Sequence, residues 1–362
     1  MKKIAVVTCY HDPDYVRARS LRAAFKAQPG VELVVIKNSK KGLGRYFQVL
    51  WKMLQVKRTE KPAAFLITFR GQEILPFALL IAGRTPVWFD EFIVPSAYAR
   101  HERHRRTFKS IIKKMGIKAY EPLYRFCLRR CSAILLDTEA HTDLSARLNR
   151  VNHRKYIAVP VGTDEKLFYP KLTKKVEPLQ IMYYTTNMQP LHGVEYVIEA
   201  AEMLQNDERF QFLLIGGKKR MRHAVEAAVQ RGARISYRPW VAFEELPKLM
   251  GEAGINLGGP FGGSPQAQLV ITGKTFQSLA SAVPTVVGEN EATKPYFQDK
   301  INAFVVPQQS AEALVKIYKW AYDNPKSLEQ IGQNGRKLYD KSFSKTAIAK
   351  RIAPLVDTVR SH

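Results

Sequence analysis

Short, nearly continuous apolar runs alternate with helical periods along this chain, and that alternation is its strongest constraint on fold. In the first half the runs are KIAVVT (3–8), ELVVIK (32–37), AAFLITF (63–69), PVWFDEF (86–92), SAILLDT (132–138) and KYIAVPV (155–161). The second half repeats the scheme with LQIMYYT (179–185), FQFLLIG (210–216), RISYRP (234–239), AGINLGG (253–259), PTVVGE (284–289) and NAFVVP (302–307). A strand with one wet face alternates polar and apolar residues. A strand apolar at nearly every position must be covered on both faces, as in a parallel sheet flanked by helices. Two such sets predict an α/β protein of two Rossmann-like domains with a cleft between them. Segment 162–178, GTDEKLFYPKLTKKVEP, is polar, carries Pro170 and Pro178, and reads as the linker. The expected domains are 1–165 and 166–344. Helical periods return at roughly 310–323, 325–341 and 345–359, and the closing segment 345–362 is expected to pack back on the first domain.

Charge separates the two halves. Residues 1–160 hold 31 Lys and Arg against 12 Asp and Glu, a surplus of 19 out of the chain's +25. The densest stretch, 100–130, holds 11 basic residues and two acids. Such a surplus points to a polyanionic partner: a membrane surface, nucleic acid or phosphorylated substrates. Within it, Phe108, Ile111, Ile112 and Met115 recur at helical spacing, with Arg105, Arg106, Lys109, Lys113 and Lys114 around them. An amphipathic basic helix of this kind suits an anionic lipid surface. It would equally serve as a core-facing helix of the first domain with a solvated basic side. Aromatic and basic residues do not interleave as in RNA-binding motifs, so nucleic acid is not expected. No apolar run reaches 18 residues, so no transmembrane helix is expected. Cys9, Cys127 and Cys131 form neither a disulfide framework nor a zinc pattern, which fits a reducing cytoplasm.

Two strand-to-helix loops of the second half carry the chemistry. Gly273-Lys274-Thr275 imitates the end of a nucleotide-triphosphate loop. That loop needs a glycine five residues earlier to turn backbone N–H groups onto phosphate, and Gln268 stands there. What remains is a lysine at a helix start, after the glycine-rich GGPFGGSPQ (258–266), which is a plausible anion site. The other loop follows LQIMYYT: Thr185, Thr186, Asn187 and His192 lie between the strand and a helix that opens near Gly193. Both loops would open on one edge of the sheet, where doubly wound folds bind ligands, and converging helix N-termini suit a pyrophosphate.

These segments, in this order, resemble the family-4 glycosyltransferases of the GT-B fold. The resemblance rests on PVGTDEKLFYP (160–170), TTNMQPLHGVEYVIEAA (185–201), GKTFQSLASAVPTVV (273–287) and IGQNGRKLYDKSFS (331–344), and covers about 160–345. It implies a retaining transfer of a sugar from a nucleotide-sugar donor, held mainly by the C-terminal domain, to an acceptor between the domains. The family's diphosphate-neutralising arginine and lysine correspond to Asn187 or Thr186, and to His192. Its paired glutamates correspond to Leu269 or Gln268, and to Gln277. Lys274 then becomes the main cation at the diphosphate, with Gly262 and Gly263 facing phosphate, Gln277 near the donor sugar, and Glu289 and Glu291 near the ribose.

Asp90 and Glu91 end a strand of the first sheet at its C-terminal edge, where an acceptor hydroxyl would lie, and could orient it or take its proton. A helix-capping pair is the plainer reading. Asp12-Pro13-Asp14 imitates a metal-binding D-x-D but follows the first strand, where that motif is not expected, so neither metal nor cofactor is expected. The leading expectation is a hexosyltransferase at the cytoplasmic face of the cell membrane. Its partners would be a nucleotide sugar, a lipid-linked or other cell-envelope glycan acceptor, and anionic lipid. The alternatives are a nucleotide-sugar epimerase of the same fold and a degenerate, non-catalytic sugar-nucleotide or nucleic-acid binding protein.

Overall fold

The computed structural model describes residues 1–95, 108–171 and 177–359. The chain forms two compact units, residues 1–161 with 345–362, and residues 162–344. The first unit runs β1 (Lys2–Thr8), α1 (Val16–Lys26), β2 (Val31–Lys37), α2 (Gly44–Thr59), β3 (Ala64–Ile67), α3 (Leu75–Ala82), β4 (Val87–Asp90), α4 (Phe108–Arg130), β5 (Ala133–Leu136), α5 (Glu139–Asn149) and β6 (Tyr156–Ala158). The second runs β7 (Leu179–Thr185), α6 (Val194–Met203), β8 (Phe210–Gly216), α7 (Lys218–Gln230), β9 (Ile235–Arg238), α8 (Leu246–Glu252), β10 (Ile255–Leu257), α9 (Gly273–Ala280), β11 (Thr285–Gly288), β12 (Phe304–Val306), α10 (Ala311–Asp323) and α11 (Pro325–Ser342). Helix α12 (Lys345–Asp357) belongs to the first unit.

Each unit contains a parallel six-stranded sheet, ordered β2-β1-β3-β4-β5-β6 in the first and β12-β11-β10-β7-β8-β9 in the second. The chain reverses its direction of travel across the sheet between β1 and β3, and between β7 and β10. In doubly wound folds, ligands bind outside the carboxyl ends of the strands near such a reversal. This is the two-sheet α/β architecture of the GT-B fold.

The apolar runs are buried on both faces because helices cover both. Successive side chains of a strand point to opposite faces. Ile4 and Val6 accordingly pack with α1 and α12, in a core that includes Phe25, Trp88, Ile348 and Ile352. Ala5 and Val7 pack on the other side with Val49 and Met53 of α2, Leu75 and Ala78 of α3, and Tyr124, Cys127 and Leu128 of α4. Phe25 stacks on Trp88 at 5.5 Å between centroids. Helix α12 is tied in by polar contacts as well: Gln28 Nε2 donates to the Ala349 carbonyl at 2.8 Å, and Lys2 Nζ to that of Val356 at 2.9 Å. Side-chain oxygens of Thr138 and Ser310 cap α5 and α10 by accepting from the backbone N–H groups of His141 and Ala313.

Arg105 and Arg106, expected on a lipid-facing helix, lie outside the described residues, as do the side chains of Lys109, Lys113 and Lys114 on α4. Among the described residues no helix is long and apolar enough to cross a membrane.

Candidate active site

The two loops expected to hold an anion do converge, and backbone contact holds them together. After β7, Thr185 Oγ1 donates to the Asn187 carbonyl at 2.8 Å, Pro190–His192 makes one tight turn, and Gly193 enters α6 with φ +60°. After β10, the backbone N–H of Gly262 donates to the Leu191 carbonyl at 3.1 Å. A Cβ built on Gly193 would stand 2.5 Å from the Gly262 nitrogen, and one on Gly262 would stand 1.8 Å from the Pro190 carbonyl oxygen. Glycine is required at both positions because one main chain lies directly on the other.

This corrects the expected role of Gly262, whose N–H is committed to the Leu191 carbonyl. The absent side chain of Gly262 faces protein backbone, and that of Gly263 faces the Gln309 side chain, whose Cδ would be 2.2 Å away. The smallness of Gly262 serves loop packing. Gly262→Ala should force the two loops apart and destabilise the second unit by about 1–3 kcal/mol, the usual cost of overpacking. Chemical denaturation reads this directly, and an unchanged midpoint would show that the loops are not locked.

Lys274 occupies the first turn of α9. It is 5% exposed, with Nζ 4.5 Å from the centroid of the Tyr183 ring and donating to the Tyr183 hydroxyl at 3.3 Å. That hydroxyl donates in turn to the His192 carbonyl at 3.2 Å, so Tyr183 joins the two loops. No carboxylate pairs with Lys274 among the described residues, and burial pushes its ammonium down to about 7. The His192 imidazole is pushed down to about 3, first by burial and then by the positive charge of Lys274. It is therefore neutral at physiological pH, and its Nδ1 is buried without a hydrogen-bond partner, as is Oδ1 of Asn187. Buried polar atoms are ordinarily satisfied, and the orphaned ring nitrogen of His192 beside an unpaired cation marks a place where an anionic ligand would accept a hydrogen bond.

The start of α9 adds to this. The Thr272 hydroxyl donates to the Gly258 carbonyl at 2.6 Å and lies 3.2 Å from the Thr275 hydroxyl, and its side chain accepts from no backbone N–H of the first turn. The leading N–H groups are left with their partial positive charge. Gly273 is exposed, with nothing within 4 Å of a built Cβ, so space lies open at this end.

The remaining expected residues divide. Gln277, one turn beyond Lys274, is buried, and its Oε1 accepts a hydrogen bond from the Tyr184 hydroxyl. Thr186 is exposed on the β7 loop. Glu289 and Glu291 follow β11 and are exposed, with Glu291 paired to Lys294 at 2.9 Å. Between them Asn290 is buried. Its Nδ2 donates to the carbonyls of Ala267 and Val270, at 2.9 and 3.2 Å, and so secures the loop before α9. Gln308 does the same from beyond β12, donating to the carbonyls of Pro260 and Ala267. The sequence does not single out Tyr183, Asn290 or Gln308. A tyrosine in an apolar strand and amides in a loop carry no local signal of such contacts.

Asp90 and Glu91 require a second correction, because neither presents a carboxylate to an acceptor: both are 0% exposed. Asp90 is the counter-ion of the equally buried Arg17, whose Nε donates to Oδ1 at 2.8 Å. Glu91 accepts hydrogen bonds from Tyr124 Oη at 2.9 Å and Ser145 Oγ at 2.6 Å, and burial pushes it up to about 7. The pair ties α1, α4 and α5 to the end of β4. Asp14 of the D-x-D imitation is committed to Lys37 at 2.6 Å and to Arg22.

A family model described as Glycosyl transferase-like matches residues 195–354. No curated protein sequence matches the chain significantly. Among solved structures, the chain is similar to HepE of Anabaena in complex with UDP, at TM-score 0.70 and 12% identity, covering 99% of this chain and 100% of that one. It is similar to the sucrose-phosphate synthase of Thermosynechococcus elongatus at TM-score 0.69 and 13% identity, covering 99% of each. A glycosyltransferase from Rickettsia africae superposes at TM-score 0.70 and 10% identity, over 99% of this chain and 98% of that one. With this frame and a glycosyl transferase-like match over residues 195–354, the chain is an enzyme of the glycosyltransferase class with the GT-B fold.

Proposed function

We propose that this enzyme transfers a hexose from a nucleoside-diphosphate sugar held at the C-terminal edge of the second sheet. The observation that carries the reading is Lys274: a buried cation with no carboxylate partner among the described residues, at the uncapped start of a helix. A diphosphate supplies the missing counter-charge. When the bond from the anomeric carbon to the diphosphate oxygen breaks, negative charge collects on the leaving group. A fixed ammonium and helix end already aimed at that position stabilise it without reorganising. His192, neutral, offers one hydrogen bond and no charge, and Asn187 offers an amide. HepE, similar in fold, forms complexes with UDP and with UDP-glucose, which supports a donor of this class.

Transfer with retention is what the resemblance of about 160–345 to family 4 implies, and it is part of this reading. The acceptor in this reading is a lipid-linked or other cell-envelope glycan, met by a peripheral enzyme at the inner face of the cell membrane. The basic surplus of the first half supports it.

A thermal-shift panel of nucleoside diphosphates and nucleotide sugars tests the donor. A ligand at a hundred times its Kd adds about 2.7 kcal/mol to the unit that binds it, which is roughly 5–10 °C for a unit of this size. If no nucleotide moves the transition, the donor assignment fails.

A further inference from the structure

Three neighbouring helices on one side of the first sheet turn large apolar side chains outward. Phe47 and Trp51 stand one turn apart on α2, Phe77 and Leu80 on α3, and Leu123 and Phe126 on α4, and all six are between 46% and 77% exposed. The sheet does not account for them, because the opposite stripes already supply the core: Val49 and Met53, Leu75 and Ala78, Tyr124 and Leu128. Helix α3 packs beside both α2 and α4. Its sequence, LPFALLIA, contains no polar side chain, so it is apolar on its outer face as well as its inner one. One exposed phenylalanine is ordinary, whereas six large apolar side chains on three adjacent helices make a patch, and patches mark interaction surfaces.

Charge selects the partner. Helix α2 holds four basic residues and no acid, α3 holds no charge, and α4 holds seven basic residues and one acid, Glu121, which Arg125 pairs at 2.5 Å. A second copy of the chain seated on this face would set like charges against like. A bilayer with anionic headgroups meets both features: tryptophan, phenylalanine and leucine sink to the boundary between headgroups and acyl chains, and lysine and arginine stay at the phosphates.

We propose that the outer faces of α2, α3 and α4 form the surface by which this enzyme docks on anionic lipid bilayers, an assignment that deepens the membrane-proximal acceptor reading and rests on it. The contact is made by aromatic and aliphatic side chains from three helices.

The test is flotation of the full chain with vesicles of phosphatidylcholine containing about 30% phosphatidylglycerol, beside vesicles of phosphatidylcholine alone. The parent should float with the anionic vesicles, not with the neutral ones, and should be released as salt rises from about 0.1 M to 1 M, where the Debye length falls from about 10 Å to 3 Å. Phe47→Ser, Trp51→Ser and Leu80→Ser combined should lower the partition coefficient at least tenfold and leave the melting temperature and any nucleotide-induced shift unchanged. Trp51→Ser alone, with less disturbance, should lower it measurably. The proposal is overturned if the parent ignores anionic vesicles, if it binds neutral ones equally, or if the variants float like the parent. It is also overturned if the parent is a dimer that the same substitutions dissociate. Nucleotide shifts recorded on the same samples keep failure of docking separate from failure of the donor site.

Discussion

Asp90→Ala is expected to cost about 3–5 kcal/mol of stability, the range for stranding one member of a buried ion pair. For a unit of this size that is a fall in Tm of roughly 6–20 °C. The carboxylate receives Arg17 Nε at 2.8 Å and lies 2.7 Å from Nη2, and Oδ2 accepts the Phe69 backbone N–H at 3.3 Å. Arg17 is 1% exposed, and its Nη1 donates to the Val159 carbonyl at 2.6 Å, so the guanidinium joins β4 to the chain beyond β6 and cannot swing out to water cheaply. Removing the carboxylate leaves a buried cation without its counter-ion. Replacing both members, Arg17→Met with Asp90→Leu, should recover most of the loss, since an apolar pair of similar volume carries no desolvation penalty. Thermal and urea unfolding by circular dichroism measure both variants. If Asp90→Ala keeps its melting temperature and loses turnover, the carboxylate belongs to the reaction and the structural assignment is wrong.

Lys274→Met should separate binding from stability with opposite signs. In the donor reading, the variant loses charge-assisted hydrogen bonds to the diphosphate, worth about 1.5–3 kcal/mol each, and nucleotide affinity should fall roughly a hundredfold. The ligand-free protein should gain stability at the same time. Lys274 is depressed from its ordinary 10.5 to about 7, so between those values the unfolded chain binds more protons than the folded one. Stability therefore rises with pH across that window. Below about pH 7 the full penalty of a buried ammonium applies. Methionine removes it, so at about pH 6 the variant should be more stable by roughly 2–4 kcal/mol, a gain that fades as pH approaches about 10. Nucleotide binding to the parent at about pH 8 should take up a proton, visible by calorimetry in two buffers of different ionisation enthalpy. Equal affinity and no proton uptake would remove Lys274 from the donor site.

Strand positions are legible in the sequence because they depend on local information. Ile4 to Val7, or Leu213 to Ile215, are apolar at consecutive positions, and a short window is enough to recognise a strand covered on both faces. Strand ends follow from the same runs, so the amino-acid order alone puts His192 on a loop and Lys274 at a helix start, at one edge of a sheet. Burial is not local. Lys274 reads as a helix-start lysine at an anion site, and nothing local shows that it is buried. It becomes a buried cation because β10 lies beside β7, which brings Tyr183 and His192 from some eighty residues earlier against α9. Gly262 reads as a loop glycine suited to phosphate, and only the main chain of Pro190 and Leu191 lying across it shows what its smallness serves. Asp90 and Glu91 do stand at a strand end, as their apolar run implies. Arg17 from α1, Tyr124 from α4 and Ser145 from α5, elements scattered along the sequence, close over them there. The chain by itself determined which segments are strands and which residues stand at their ends. Tertiary structure decided which of those residues meet water, because solvent exposure depends on which elements the crossovers make neighbours.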